Sequence, residues 1–378
     1  MIETLIELGA DVNAENNEGL TPLLSFIENS YISDEEENPI FLMLDAGADI
    51  NKRYKDGKTP LHKLVQMDSD WAIEFINRGA DIFAKDNDGC TPLHYAARNG
   101  NYEIIQFLVQ KGANIDEVDN EGRTPLFYGI ENFYVMESIE IVKLFVSLGA
   151  GINHLDNYNR NISFYCWRDS LELLKVLNQL GLDFNVRDIE GKTVLFNSGF
   201  GIDELKFFID EVGLDAKHVD NNGRTILHGT NYIGNDKIKY LLDKGLDINA
   251  LDKDGRSPIF YAKNKKALLE FGADINIIDK YGRTPLYYAD AENIGLLVEA
   301  GIDVNTEAEF GQNPLHYIYS NLDEKNLYER TVELIRAGIS LYAEDYEGNT
   351  PIEVYEKYRQ PKRNDRTYNL LERSMKRR

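Results

Sequence analysis

The chain has 378 residues, more than one ordinary domain holds, and 43% of them are hydrophobic, enough for a large core and too many for wholesale disorder. Sixty-four Asp and Glu stand against 41 Lys and Arg, a net charge of −23, which argues against nucleic acid or an anionic membrane as the main partner and favours a basic one. Cys90 and Cys166 cannot build a disulfide framework, no apolar run reaches the roughly 18 residues of a membrane span, and the opening segment lacks the features of a signal peptide. The expectation is a soluble, intracellular and cytoplasmic protein.

In chain order, the first element is a helical stretch that sets Ile2, Leu5 and Ile6 on one face, with no preceding helix to cover it. Two readings stay open: a local cap or further residues close that face, or it is a docking surface through which copies self-associate. From Thr21 onward the string Thr-Pro-Leu-His, or a variant of it, recurs. It begins at Thr21, Thr59, Thr91, Thr124, Asn161, Thr193, Thr225, Ser257, Thr284, Asn313 and Thr350, at intervals of 27 to 38 residues averaging about 33. A second string keeps step with it, from LGADVN at 8–13 to AGISLY at 337–342.

The copy at 86–116, DNDGCTPLHYAARNGNYEIIQFLVQKGANID, shows what each unit should be. Asp86-Asn87-Asp88-Gly89 is turn chemistry, with Gly89 free to take a positive φ. Thr91 suits a helix N-cap and Pro92 the first helical position, whose N–H would have no helical partner. Ala96 and Ala97 are small enough for close approach of neighbouring first helices. Ile104, Ile105, Leu108 and Val109 line one face of a second helix, which Gly112 stops. One such unit cannot bury its own apolar faces, whereas stacked copies can.

The two interleaved motifs resemble the ankyrin repeat over roughly residues 1–355. The resemblance implies an all-α repeat solenoid: ankyrin helix-turn-helix pairs with β-hairpin turns, stacked into a curved rod. It divides the chain into a partial N-terminal repeat (1–13, second helix only), a repeat array (14–342) and a C-terminal capping repeat with a basic tail (343–378). The copy at 156–185 departs most, with Asn159 in the usual glycine place and Ile162 in the proline place, so a looser hairpin is expected there. Extra residues near Ser33–Asn38, Phe133–Ser138 and Asn321–Tyr328 read as surface loops, and the short copies near 257–312 require a shortened helix or interhelical turn. The stretch 357–378 holds nine Lys or Arg against two acids. It reads as a capping or solubilising helix, a contact to the acidic array, or an address. Lys362-Arg363 and Lys376-Arg377-Arg378 are spaced like a bipartite nuclear import signal.

The residues that could carry chemistry read as structural. His62, His94, His228 and His316 fill the fourth place of the Thr-Pro-Leu-His motif, where each ring is expected to bond back to the start of the motif. His154 and His218 precede hairpins without Cys or acidic partners at ligand spacing. Metalloprotease, Walker, nucleophile-elbow and kinase signatures are absent from the sequence. GFGIDE at 199–204 lacks the third glycine of a dinucleotide loop and reads as a shortened turn between helices. Cys90 occupies a slot that is elsewhere mostly basic and is expected to be exposed, though without an activating neighbour. Asn161-Ile162-Ser163 is a glycosylation sequon set in a structural slot, and is discounted. No catalytic residue, cofactor or metal is expected.

Lys58, Arg123, Arg160, Lys192, Arg224, Arg256 and Arg283 follow the turns, and Asp56, Glu121, Glu190 and Asp254 precede turn glycines. This alternation reads as solvated charge pairs worth under about 1 kcal/mol each. Tyr95, Tyr128, Tyr261, Tyr288 and Tyr317 are expected along the inner helix layer. The early turn tips are polar (Asn17-Glu18, Lys55-Asp56, Asn87-Asp88, Asn120-Glu121), whereas later tips carry Tyr158, Ile189, Tyr281, Phe310 and Tyr346, which no core requires.

The resemblance implies that partners are bound through the tips and the concave first-helix face, and aromatic anchors dominate interface energies. These five residues are therefore the candidate protein-binding set. The expectation is a non-enzymatic adaptor or interaction scaffold whose partner is another protein with a basic surface, without direct binding to nucleic acid or membrane. The alternative is an acidic inhibitor or immunity-type protein that blocks a basic, nucleic-acid-acting enzyme by mimicking a polyanion.

Overall fold

The computed structural model describes residues 2–29, 39–69, 71–131, 135–166, 169–229, 234–321, 326–361 and 365–376. The insertion at 33–38, residues 133–134 and 322–325, Lys362-Arg363 and Arg377-Arg378 lie outside the described residues.

Each repeat opens on a turn with a fixed set of hydrogen bonds, as the copy at 86–90 shows. Asp86 Oδ1 accepts the backbone N–H groups of Asp88 and Cys90 at 3.0 and 2.9 Å, and Asp86 N–H donates to Cys90 O at 3.0 Å. Gly89 closes this turn at φ 82°, and a Cβ there would stand 2.6 Å from Asn120 Oδ1 of the following repeat. Glycine is thus required twice, by the positive φ and by the neighbour. Thr91 then takes an extended conformation and Pro92 starts the first helix. No strand occurs among the described residues; the hairpin arms are joined by such single backbone bonds.

The chain forms two compact units, Met1–Ile189 and Glu190–Arg378. The first contains α1 (Ile2–Glu7), α2 (Pro22–Asn29), α3 (Pro39–Asp45), α4 (Pro60–Gln66), α5 (Trp71–Asn77), α6 (Pro92–Asn99), α7 (Tyr102–Gln110), α8 (Pro125–Gly129), α9 (Val135–Ser147) and α10 (Leu171–Gln179). First helices stack in one layer (α2 on α4, α4 on α6, α6 on α8) and second helices in another (α1 on α3, α5 on α7, α9 on α10). Between the layers Leu64, Phe75, Leu93, Ile105, Leu108, Phe127, Val142 and Phe145 are buried. Removing such surface from water drives the stacking at about 25 cal/mol per Å². In α1 no residue is buried, and Leu5 and Leu8 are exposed.

The second unit contains α11 (Ile202–Lys206), α12 (Asn235–Asp243), α13 (Pro258–Tyr261), α14 (Lys265–Glu270), α15 (Ala291–Glu299), α16 (Pro314–Ser320), α17 (Leu327–Arg336), α18 (Pro351–Arg359) and α19 (Arg366–Lys376). In its short repeats the first helix contracts to the four residues of α13 and to a single 3₁₀ turn at Pro285–Tyr288, against eight in α6, and the second helix α14 has six residues against nine in α7. Lys265 seals the contracted end. Its buried ammonium donates to the carbonyls of Ile259 (2.5 Å) and Ala262 (3.1 Å), and burial pushes its pKa down to about 8. At the far end α19 lies on α17 and α18 with Thr367 and Leu371 buried, and Tyr355 Oη donates to the Asp365 carboxylate at 3.0 Å. Basic residues of the tail that fall in α19 therefore belong to a packed helix.

The hairpin at Asn159 is not loose. Asn159 adopts φ 64°, its N–H reaches Asp156 O at 3.0 Å, and Asp156 N–H reaches Arg160 O at 2.9 Å, the same closure as at Gly89. Asparagine enters the left-handed region at lower cost than other L-residues, and Asn159 Nδ2 adds a bond to Arg187 O at 2.8 Å. The missing proline at Ile162 shows instead as a 3₁₀ turn over Ile162–Tyr165, where an α-helix stands in the best copies.

Candidate functional site

The histidines tie repeats together. Thr91 N–H donates to His94 Nδ1 at 3.0 Å, so Nδ1 is the acceptor nitrogen and the proton sits on Nε2, which faces Arg123 O of the next repeat at 3.2 Å. His62 reaches Cys90 O (3.1 Å), His228 Arg256 O (3.1 Å) and His316 Asn349 O (3.0 Å) in the same way. Burial holds all four below the usual histidine range, His94 at about 4. The expected bond to the start of the motif is present, and the bridge to the next repeat is its continuation. Where Phe127, Phe196, Phe260 or Tyr287 takes the ring place, the hydroxyls of Thr124, Thr193, Ser257 and Thr284 are buried without a hydrogen-bond partner. His154 and His218 reach back to Gly122 O and Gly191 O at 2.9 and 2.7 Å. Among the described residues no group of three or more His, Cys, Asp or Glu could hold a metal ion.

The basic ladder differs from the solvated pairs expected. Local pairs exist, such as Lys58–Asp56 at 3.3 Å and Arg123–Glu121 at 3.3 Å. Three arginines, however, also reach the buried turn carboxylate of the following repeat: Arg160 to Asp188 (2.8 Å), Arg224 to Asp252 (3.4 Å) and Arg256 to Asp279 (3.0 Å). The tyrosines after the histidine place complete the network, since Tyr95, Tyr128, Tyr261 and Tyr288 donate to Asp86, Asp119, Asp252 and Asp279 at 2.5–2.7 Å. Burial alone would raise Asp119 and Asp252, but the tyrosine and backbone hydrogen bonds and the neighbouring arginine outweigh it and hold both below the usual carboxylate range.

Cys90 stands where an arginine stands in other repeats, with its thiol 3.1 Å from the next repeat's Tyr128 Oη. It is buried rather than exposed, because a side chain this short is covered by the stack that an arginine would reach through; burial pushes it up to about 11. Cys166 is buried as well. Asn161, the sequon residue, is buried and its amide donates to Asp183 O at 2.7 Å.

The turn tips are joined backbone to backbone. In the first unit Ile189 N–H donates to Tyr158 O at 3.0 Å, which makes these two candidates neighbours; they are 60% and 42% exposed. In the second unit Glu309 N–H donates to Tyr281 O (2.9 Å) and Tyr346 N–H to Phe310 O (2.8 Å). Phe310 and Tyr346 are neighbours, 65% and 80% exposed. Tyr281 is half-buried, its ring flanked by Lys280 Nζ at 5.0 Å and the Arg283 guanidinium at 4.8 Å. A second exposed set, Val219, Leu251 and Ile278, stands directly before the turn aspartate in successive repeats. Its mark in the sequence is an apolar residue at a repeat position that Lys85 and Arg187 hold elsewhere.

Two family models match: "Ankyrin repeats (3 copies)" over residues 72–156 and 230–308, and "Ankyrin repeats (many copies)" over 43–96, together just over half of the chain. Among solved structures, the crystal structure of the human ASB11 ankyrin repeat domain is similar at 22% identity and a TM-score of 0.42, covering 51% of this chain and 83% of that one. No curated protein matches the sequence.

Proposed function

Because the chain belongs to the ankyrin repeat family, whose repeats generally mediate protein–protein interaction, we propose that it is a non-enzymatic scaffold that binds another protein through its first-helix face and turn tips. The observation that carries this reading is the exposure of Phe310 and Tyr346, large rings at turn tips that bury little and hold no core together. Tyr158, Ile189 and Tyr281 complete the binding set. The net charge of −23 selects a basic partner, whose association falls as salt shortens the screening length to about 8 Å. We read 1–13 as a partial repeat, 14–342 as the binding array and 343–378 as its cap and tail, in a cytoplasmic protein. Among the described residues no helix is long and apolar enough to cross a membrane.

The test is selection of an unbiased displayed peptide library on the immobilised chain, followed by affinity measurement on a variant with Tyr158, Ile189, Tyr281, Phe310 and Tyr346 all changed to Ala. Loss of about 1–4 kcal/mol of binding with an unchanged helical spectrum is expected. Equal binding by parent and variant would overturn the tip reading. The alternative, a polyanion mimic, predicts binding that is steep in salt yet indifferent to these five substitutions.

A further inference from the structure

We propose that Phe310 and Tyr346, with the exposed Glu307, Glu309 and Glu344 that stand within three residues of them in sequence, form a seat for an extended arginine-bearing segment of the partner protein. The inference rests on the reading that the tips bind protein, and adds which tips and what chemistry.

The turn at 308–312 is unlike the others. Ala308 stands where aspartate usually organises the turn, and Phe310 is held at φ 63°, ψ 20°, a region costly for a bulky L-residue. The side chain carried by that backbone is 65% exposed. Tyr346, joined to it through the 2.8 Å backbone bond, lays its ring against Gly311, where a Cβ would come within 2.6 Å of the ring. Two rings on adjacent turns are therefore presented outward by a fixed backbone.

Cations already occupy the other tip rings. Tyr158 lies under Arg160 at 5.5 Å, Tyr281 is flanked by Lys280 and Arg283, and the inner-layer Tyr317 lies under Arg283 at 4.3 Å. Among the described residues no Lys or Arg lies over Phe310 or Tyr346. The carboxylates beside them are in the same condition. Glu347 pairs with Lys357 at 2.9 Å, whereas exposed Glu307, Glu309 and Glu344 form no ion pair among the described residues. Open aromatic faces and uncompensated carboxylates attract the same group, a cation. Guanidinium suits both better than ammonium does, because it is planar, stacks on rings and bonds carboxylates in a fork.

The 2.8 Å bond from Tyr346 N–H to Phe310 O holds the two backbones at the roughly 5 Å spacing of hydrogen-bonded neighbours, so both rings can be met by one extended segment of the partner. A polyproline II segment is extended and has no internal hydrogen bonds, and so presents an arginine without first having to unfold.

The probe is a fluorescein-labelled peptide of repeated Arg-Pro-Pro triplets, titrated with the full chain and read by fluorescence anisotropy. It should bind at least tenfold tighter than the Lys-Pro-Pro analogue. Phe310→Ala with Tyr346→Ala, which leaves charge unchanged, should weaken binding at least tenfold, as should Glu307→Gln with Glu309→Gln and Glu344→Gln. The same change of charge at Glu3, Glu7 and Glu103 in the first unit should matter less than twofold. Phe310→Gly separates recognition from folding, since it should raise the melting temperature while still weakening binding. Absence of binding to the parent, equal binding by the Phe310/Tyr346 variant, or equal effects of the two glutamate sets would overturn the inference. If library peptides are lost on changing Tyr158, Ile189 or Tyr281 but ignore Phe310 and Tyr346, the tip reading survives and this inference fails; if none of the five matters, both fail.

Discussion

Arg256 and Asp279 meet across 23 positions of sequence: Nε and Nη2 of the guanidinium both donate to Asp279 Oδ2, each at 3.0 Å. Tyr288 Oη donates to the same oxygen and accepts from Arg256 Nη2, both at 2.7 Å. The carboxylate is fully shielded from solvent and most of the arginine is too. Such a cluster makes one repeat's turn dependent on the arginine of the repeat before it.

Arg256→Ala should therefore destabilise the chain by about 2–3 kcal/mol, because it leaves a buried carboxylate short of two donors. Lys143→Ala, which breaks only the exposed 2.9 Å pair with Glu140, should cost under about 0.5 kcal/mol. Urea unfolding midpoints compare the two. Equal small effects would mean that the Arg256 cluster is no stronger than a surface pair.

Acid should weaken the stack in two stages. Buried His62, His94, His228 and His316 have folded pKa values lowered from 6.5, so as pH falls below 6.5 the unfolded chain takes up protons that the folded chain refuses. Stability drops across that window, down to about pH 4 for His94, whose shift corresponds to about 3 kcal/mol. Asp119 and Asp252, also lowered, add stability present above 3.8 and lost as pH falls further, through their folded pKa values. Thermal melts between pH 7 and 4 test the first stage. His94→Phe should melt lower than the parent at pH 7 and show a shallower decline, since it leaves Thr91 without its ring partner and removes one titrating group.

Asp220 heads one of the turns that lack the tyrosine. Gly229 occupies the place nine residues after Asp220, and Asp220 Oδ2 is buried with no hydrogen-bond partner. A Cβ on Gly229 would meet nothing within 4 Å. Gly229→Tyr should raise stability by about 1–2 kcal/mol by supplying the missing donor, and Gly229→Phe, which has the ring but not the hydroxyl, should gain less. Equal gains from both would assign the effect to ring burial alone.

Both thiols should be inert in the folded chain. Burial raises Cys90 to about 11 and Cys166 to about 12, so neither is a thiolate at neutral pH. Labelling with a chromogenic disulfide reagent at pH 7.5 should be negligible in buffer and reach both thiols in urea. Fast native labelling of Cys90 would show that the stack opens at its turn.

The repeat, its period, the turn glycines, the Thr-Pro helix starts and the apolar faces were legible in the sequence, because they answer to local rules: φ at Gly89, capping at Thr91, helical spacing at Ile104, Ile105 and Leu108. The exposure of Tyr158, Ile189, Phe310 and Tyr346 was legible for the same reason, since these are apolar residues at places that no core needs. Whatever depends on the next repeat had to wait for the tertiary structure. The burial of Cys90, the reach of Arg256 to Asp279 and the bridge from His94 to Arg123 O join residues 23 to 38 positions apart. Linear order does not say which neighbour a long side chain will choose. The stack decides, by placing a buried carboxylate or carbonyl within hydrogen-bond distance, where a missing partner costs far more than it would in water.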